Sequence, residues 1–91
     1  MYKVAGELSQ NTANEVVAAG IAAISAGESE FDLSGLARVD SSAVAVMIAW
    51  QRCALQQGKT LQFHAIPADL TSLVKLYGLA EQFQNAVPGR H

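Results

Sequence analysis

The chain has 91 residues and a net charge of −2, with 51% apolar and only 15% charged residues. That length fits one small domain, and the charge excludes the basic footprint that nucleic-acid binding requires. A single cysteine, Cys53, excludes an internal disulfide and fits a reducing compartment. Since neither a signal core nor a run of about 20 apolar residues is present, we expect a soluble, cytoplasmic protein.

The first third of the chain predicts a strand followed by a helix. Residues 2–8 are typical of a short strand, which ends at a polar run beginning with Ser9. Thr12 and Glu15 form a capping-box pattern, in which the hydroxyl bonds an early backbone N–H and the carboxylate reaches back. The apolar stripe that follows predicts a helix up to Gly27, a residue that suits a C-terminal stop.

Two more strands and a central helix are expected in the middle of the chain. Residues 31–34 predict a brief strand, after which Gly35 permits a bend. One of the two serines after Asp40 is expected to cap a helix that runs to about Gln57. Residues 60–66 alternate between apolar and polar side chains with one slip, which favours a third strand.

A third helix is expected to begin at Pro67 or Asp69 and to end at Gly78. Residues 79–83 predict a last short turn or helix, and the tail from residue 84 is expected to fray. Strands that alternate with helices across short connections favour one α/β domain over all 91 residues, with helices packed on a small sheet.

The predicted central helix carries two apolar stripes. One suits the core and comprises Val44, Met47, Ile48 and Leu55. The other follows at i, i+4 and i+7 and comprises Val46, Trp50 and Cys53. A small domain rarely encloses two stripes of one helix, and tryptophan is enriched where proteins meet. We therefore expect Val46 and Trp50 to face a partner, with burial of Trp50 in the core as the alternative.

Asp40, Ser41 and Ser42 lie where a strand ends and the apolar helix begins. Hydroxyls at a helix start cap orphan N–H groups, meet a partner or accept a phosphate. Asp40 either accepts bonds from its own helix start or also holds the hydroxyls in shape for a partner. Since no metal-ligand spacing, phosphate loop or serine–base pair accompanies these residues, we predict no metal, no cofactor and no catalytic residue.

These motifs resemble those of STAS domains, in the right order and over nearly the whole chain. The matching segments are G-E-L at 6–8, D-L-S-G-L at 32–36, V-D-S-S at 39–42, G-K-T-L at 58–61 and L-V-K-L-Y-G-L at 73–79. The resemblance implies an α/β fold with a small mixed sheet, helices packed mainly on one side, and no catalytic centre of its own.

Two branches of that family compete. In the STAS subunit of Mla-type phospholipid-transport ABC systems, the MlaB-like branch, the domain binds the cytoplasmic ATPase, and Ser41 stands where that motif has threonine. In anti-sigma factor antagonists a partner kinase phosphorylates the second serine of D-S-S-G, a position that Ser42 occupies. Ala43 replaces the glycine of both patterns and restricts the backbone beside that serine, which argues against kinase switching. The K-L-Y-G-L run at 75–79 favours the transporter branch.

The resemblance therefore predicts a non-catalytic STAS subunit of a phospholipid-transport ABC system that maintains outer-membrane lipid asymmetry. Such a subunit is cytoplasmic and reaches the inner membrane through its complex with the ABC-type ATPase. The alternative is an anti-sigma factor antagonist whose partner is an anti-sigma factor kinase and whose candidate phosphorylation site is Ser42. The predicted partner-binding residues are Asp40, Ser41, Ser42, Val46, Trp50 and Tyr77.

Overall fold

The computed structural model describes residues 1–76, in which strands and helices alternate. The elements are β1 (Tyr2–Leu8), α1 (Ala13–Ser25), β2 (Glu30–Val39), α2 (Ser42–Gln56), β3 (Gln62–His64) and α3 (Ala68–Leu76). The predicted α/β fold is confirmed. Tyr77, the predicted short element at 79–83 and the tail from residue 84 lie outside the described residues.

The strands form one sheet in the order β1-β2-β3, and both pairings are parallel. β2 continues through the predicted bend at Gly35, but the register is irregular just before it: Lys3 pairs with Asp32 and Ala5 with Gly35, so β2 has one more residue than β1 between these pairs. At the far end of the same pairing, Leu8 lies opposite Val39. The carboxyl ends of β1 and β2 therefore meet at one edge of the sheet, which we call the carboxyl edge.

Helices cover one face of the sheet. On β2, Phe31 and Leu33 are fully buried, whereas Asp32 between them is half-buried and Ser34 after them is exposed. This alternation follows from the strand geometry, in which successive side chains point to opposite faces. Trp50 of α2 packs against Phe31 on the covered face, with 4.9 Å between the ring centroids.

Trp50 lies at the centre of the core, so the prediction that it faces a partner is wrong. Its side chain is 0% exposed, and its indole also stacks near Phe63 at a centroid distance of 6.4 Å. Its Nε1 donates a hydrogen bond to the carbonyl of Val17 in α1, at 3.2 Å. An indole that is buried on all sides and hydrogen-bonded in this way stabilises the fold.

The two predicted stripes of the central helix are in fact one wide buried face. It comprises Ala43, Val44, Val46, Met47, Trp50 and Ala54. The face is wide because α2 packs against both α1 and α3 as well as the sheet. Val46 is thus buried and does not face a partner, while Leu55, predicted to lie in the core, is 61% exposed.

The G-K-T-L segment has a structural role at the end of α2. Gly58 takes a positive φ of 74°, which glycine adopts at little cost, and ends the helix as predicted. Lys59 then donates from Nζ to the carbonyl of Ile24 at 2.6 Å. That carbonyl lies in the last turn of α1, where the helix dipole favours a cation. Lys59 therefore links the end of α1 to the segment that leads into β3.

Candidate functional site

The candidate site lies at the carboxyl edge, where two loops start side by side. The backbone N–H of Asp40 donates to the carbonyl of Leu8 at 3.3 Å, just beyond the last paired residues of β1 and β2. The loop at 9–12 that follows β1 is therefore adjacent to the segment at 40–42 that follows β2. Parallel pairing brings together residues that lie about thirty positions apart in the chain.

The carboxylate of Asp40 joins these two loops. Its Oδ2 accepts a hydrogen bond from the backbone N–H of Gln10 at 3.0 Å, and its Oδ1 accepts one from the N–H of Ser42 at 2.8 Å. The Gln10 amide, helped by the amide and hydroxyl of Ser42, holds the pKa of Asp40 below its usual value, although some loss of solvation opposes the shift. One ionised side chain thus fixes the relative positions of both loops.

Asp40, and not a serine hydroxyl, caps α2. Ser41 occupies the N-cap position but makes no side-chain capping bond, which corrects the prediction of a serine cap. A carboxylate near a helix start satisfies an orphan N–H and is favoured by the helix dipole. Ser41 is exposed at this edge, while Ser42 is half-buried beside Asp40.

A second correction concerns the loop after β1. The hydroxyl of Thr12 does not cap α1, although the helix begins at Ala13 as its pattern predicted. The hydroxyl turns back, donating to the carbonyl of Glu7 at 2.9 Å and accepting from the N–H of Ser9 at 3.1 Å. The capping-box prediction was wrong because the loop uses this hydroxyl to close itself.

The loop at 9–12 contributes to the site although its sequence did not indicate this. Ser9 is 6% exposed, donates its hydroxyl proton to the carboxylate of Glu7, and accepts from the N–H of Asn11 at 3.2 Å. Glu7, which resembles an ordinary surface charge in sequence, is half-buried in this network. The sequence signal that could have indicated this loop is the run of polar residues that follows β1, just as Asp40 follows β2.

Two shallow grooves flank the end of β2. The first has a volume of about 300 Å³ and is lined by Glu7, Ser9, Gln10, Asn11, Arg38, Val39 and Asp40. The second has a volume of about 200 Å³ and is lined by Leu36, Ala37, Arg38, Val39, Pro67 and Asp69. The two grooves share Arg38 and Val39, so this pair forms the ridge between them.

Of the six predicted partner-binding residues, the structure brings Asp40, Ser41 and Ser42 together at the carboxyl edge. Val46 and Trp50 lie in the core behind that edge, and Tyr77 lies outside the described residues. Within residues 1–76 no group of three or more metal-ligating side chains is assembled, and none of the helices combines the length and the apolar composition of a membrane span. The carboxyl edge offers hydrogen-bonding groups on a preformed surface, an arrangement suited to binding.

Comparison with known proteins agrees with this fold. A family model described as "Mlab, STAS domain" matches residues 2–87. Among solved structures, the chain resembles the anti-sigma factor antagonist SpoIIAA in its unphosphorylated form, with a TM-score of 0.60 and 17% identity over 81% of this chain and 70% of that chain. At this identity the likeness shows the fold alone. No curated protein matches the chain significantly. The resemblance to STAS domains is confirmed, and the chain belongs to the MlaB-type STAS domain family.

Proposed function

We propose that this protein is a non-catalytic, cytoplasmic STAS subunit that binds and supports the ATPase of a phospholipid-transport ABC system. Such a system maintains the lipid asymmetry of an outer membrane, and the protein reaches the inner membrane through its complex with the ATPase. The observation that carries the proposal is the match to the MlaB family model over residues 2–87.

The first turn of α2 is the central part of the proposed contact. Ser41 and Ala45 are both exposed there, one helical turn apart on the same side of the helix. Their small side chains allow a partner helix or loop to approach the backbone closely. Ser41 stands where the transporter motif has threonine, so a hydroxyl is available for a hydrogen bond to the ATPase.

The bonds of Asp40 prepare this surface for binding. Because its carboxylate already holds the amides of Gln10 and Ser42, the two loops do not have to be ordered when a partner arrives. Preorganisation of this kind improves affinity by reducing the entropy lost on association. Support of the ATPase then follows if the surface binds its productive conformation more tightly than its other conformations.

Co-purification from the native host tests this proposal. A tagged chain should retain an ABC-type ATPase, identified by mass spectrometry, in near-stoichiometric amount. The matched control is Ser41→Lys, which places a long charged side chain in the contact and should reduce the recovered ATPase. Recovery of an anti-sigma factor kinase in place of an ATPase would contradict the proposal.

The alternative function is that of an anti-sigma factor antagonist, and Ser42 is the residue that separates the two. The fold resembles that of SpoIIAA, an anti-sigma factor antagonist. A phosphate on Ser42 would add about −1.5 to −2 charges beside the carboxylate of Asp40 and repel it. Ala43, which follows directly, is fully buried, so its methyl group belongs to the core of the domain.

We expect Ser42 to be unphosphorylated in the intact mass of protein isolated from the native host. The buried methyl of Ala43 and the bond between the Ser42 amide and Asp40 both hold this helix start in one conformation. Stoichiometric phosphate at Ser42, together with release of a partner by Ser42→Asp, would favour the antagonist function instead.

A further inference from the structure

Arg38 occupies the ridge between the two grooves of the carboxyl edge. It is exposed near the end of β2, two residues before Asp40. It lines both the groove of about 300 Å³ beside the loop at 9–12 and the groove of about 200 Å³ beside the start of α3. A molecule that binds across the carboxyl edge would contact the side chain of Arg38.

The guanidinium of Arg38 has no partner within residues 1–76. It makes no hydrogen bond and no ion pair there, although two carboxylates line the same groove. Asp40 accepts from the amides of Gln10 and Ser42, and one carboxylate oxygen of Glu7, which lies opposite Arg38 in the strand register, accepts from Ser9. No residue in the described range therefore takes up the five N–H donors of the guanidinium.

The surroundings of Arg38 determine which kind of group its guanidinium binds. A guanidinium is planar and binds a carboxylate through two parallel hydrogen bonds, and arginine is enriched at the centres of protein interfaces. Glu7 and Asp40 in one groove and Asp69 in the other place negative charge around it. That charge repels a phosphate cluster or an anionic surface more strongly than it repels one carboxylate, so among anionic groups the site suits a single carboxylate presented by a protein.

We propose that Arg38 is a partner-contacting residue that pairs with a single carboxylate of the ATPase. The inference rests on the function proposed above and adds a second contact to the one at Ser41. The pairing would let Arg38 discriminate between binding proteins. A protein that lacks the matching acid would leave the guanidinium desolvated and without a hydrogen-bond acceptor. The sequence pattern did not mark Arg38, since it lies outside the Asp40–Ser42 motif.

Affinity measurements with the purified ATPase recovered by co-purification test the pairing. We expect Arg38→Gln to weaken binding about tenfold or more at physiological salt, while its thermal melt stays as in the wild type, because the side chain is exposed. The matched control is Arg52→Gln, which removes the same group from an exposed position on α2 about 15 Å further along the helix than Ser42. That control should stay within about twofold of the wild type.

A charge swap identifies the partnering acid. Arg38→Glu should abolish binding to the wild-type ATPase, and replacing one surface Asp or Glu of the ATPase by Arg should restore it. Equal affinity of wild type, Arg38→Gln and Arg52→Gln would overturn the pairing while leaving the ATPase as the partner. Failure of the wild-type chain itself to bind the ATPase would overturn the proposed function and this inference together.

Discussion

Gly20 of α1 lies directly against the indole of Trp50 of α2. A Cβ built on Gly20 would overlap the Nε1 and Cε2 atoms of that indole, so no other residue fits there without a shift. The indole Nε1 meanwhile donates to the carbonyl of Val17, three residues earlier on the same helix. The absence of a side chain at Gly20 allows α1 to approach Trp50 closely enough to close the core over it.

Replacing Gly20 by alanine tests this contact. Alanine favours a helix over glycine by about 1 kcal/mol, so a glycine with no packing role would be improved by the change. Here the new methyl meets the indole, and overpacking of a core typically costs about 1–3 kcal/mol. We expect Gly20→Ala to lower the free energy of unfolding in denaturant melts.

The control for that prediction is the same change in a Trp50→Phe background. Phenylalanine is smaller than the indole and lacks its Cζ2 atom, one of the three atoms that meet a Cβ at Gly20, so the added methyl should cost less stability than in the wild type. A double-mutant cycle measures the coupling between the two positions. Equal effects of Gly20→Ala in both backgrounds would show that the two residues do not interact.

Trp50→Ala should destabilise the isolated domain strongly. The indole is fully buried between Phe31 and Phe63, and loss of such a side chain costs about 3–5 kcal/mol. In so small a domain that is a large share of the total stability, and the variant can be largely unfolded. Circular dichroism should monitor the melt, because the change removes the chain's only tryptophan. A near-wild-type melt would place Trp50 outside the core.

Local sequence periodicity predicts the secondary structure of this chain but not the tertiary packing of Trp50. The order of strands and helices was predictable because each element carries its own apolar pattern and its own stop residue, such as Gly58. Burial of Trp50 was not predictable in the same way. It depends on Gly20, thirty residues away, which leaves space for the indole between two helices.

The same distinction between local and long-range signals applies to the residues of the candidate site. Asp40, Ser41 and Ser42 were identified because they adjoin one another in sequence at a strand–helix junction. The loop at 9–12 was missed because its link to Asp40 passes through the sheet register and a backbone N–H, neither of which has a signature in side-chain type. Hydroxyl roles were misassigned at Thr12 for a similar reason, since the choice between capping and loop closure is made by tertiary geometry.

Asp40 should make the stability of the domain sensitive to acid. Its pKa in the folded state is lowered, chiefly by the Gln10 amide, below the value of about 3.9 expected in the unfolded chain. Its stabilising contribution is therefore present above the unfolded pKa and is lost as the pH falls through the folded pKa. We expect the wild type to lose more stability than Asp40→Asn between about pH 6 and about pH 2.

Asp32 provides the comparison for this acid sensitivity. The backbone N–H of Ser34 donates to its carboxylate at 2.9 Å and lowers its pKa in the same direction. Asp40→Asn should therefore remove part of the pH dependence, and the double variant with Asp32→Asn should remove more. A pH profile for Asp40→Asn that overlays the wild type would show that the bonds to Gln10 and Ser42 contribute nothing to folding.

Calorimetric titration of the purified chain with the purified ABC-type ATPase tests the central claim most directly. Saturable binding by the wild type is expected, together with a loss of about tenfold or more for Ser41→Lys, because a buried long cation disrupts a close contact. Ser41 is exposed and makes no capping bond, so the variant should melt like the wild type. No binding by the wild type, or equal binding by both proteins, would contradict the assignment of the carboxyl edge as the ATPase contact.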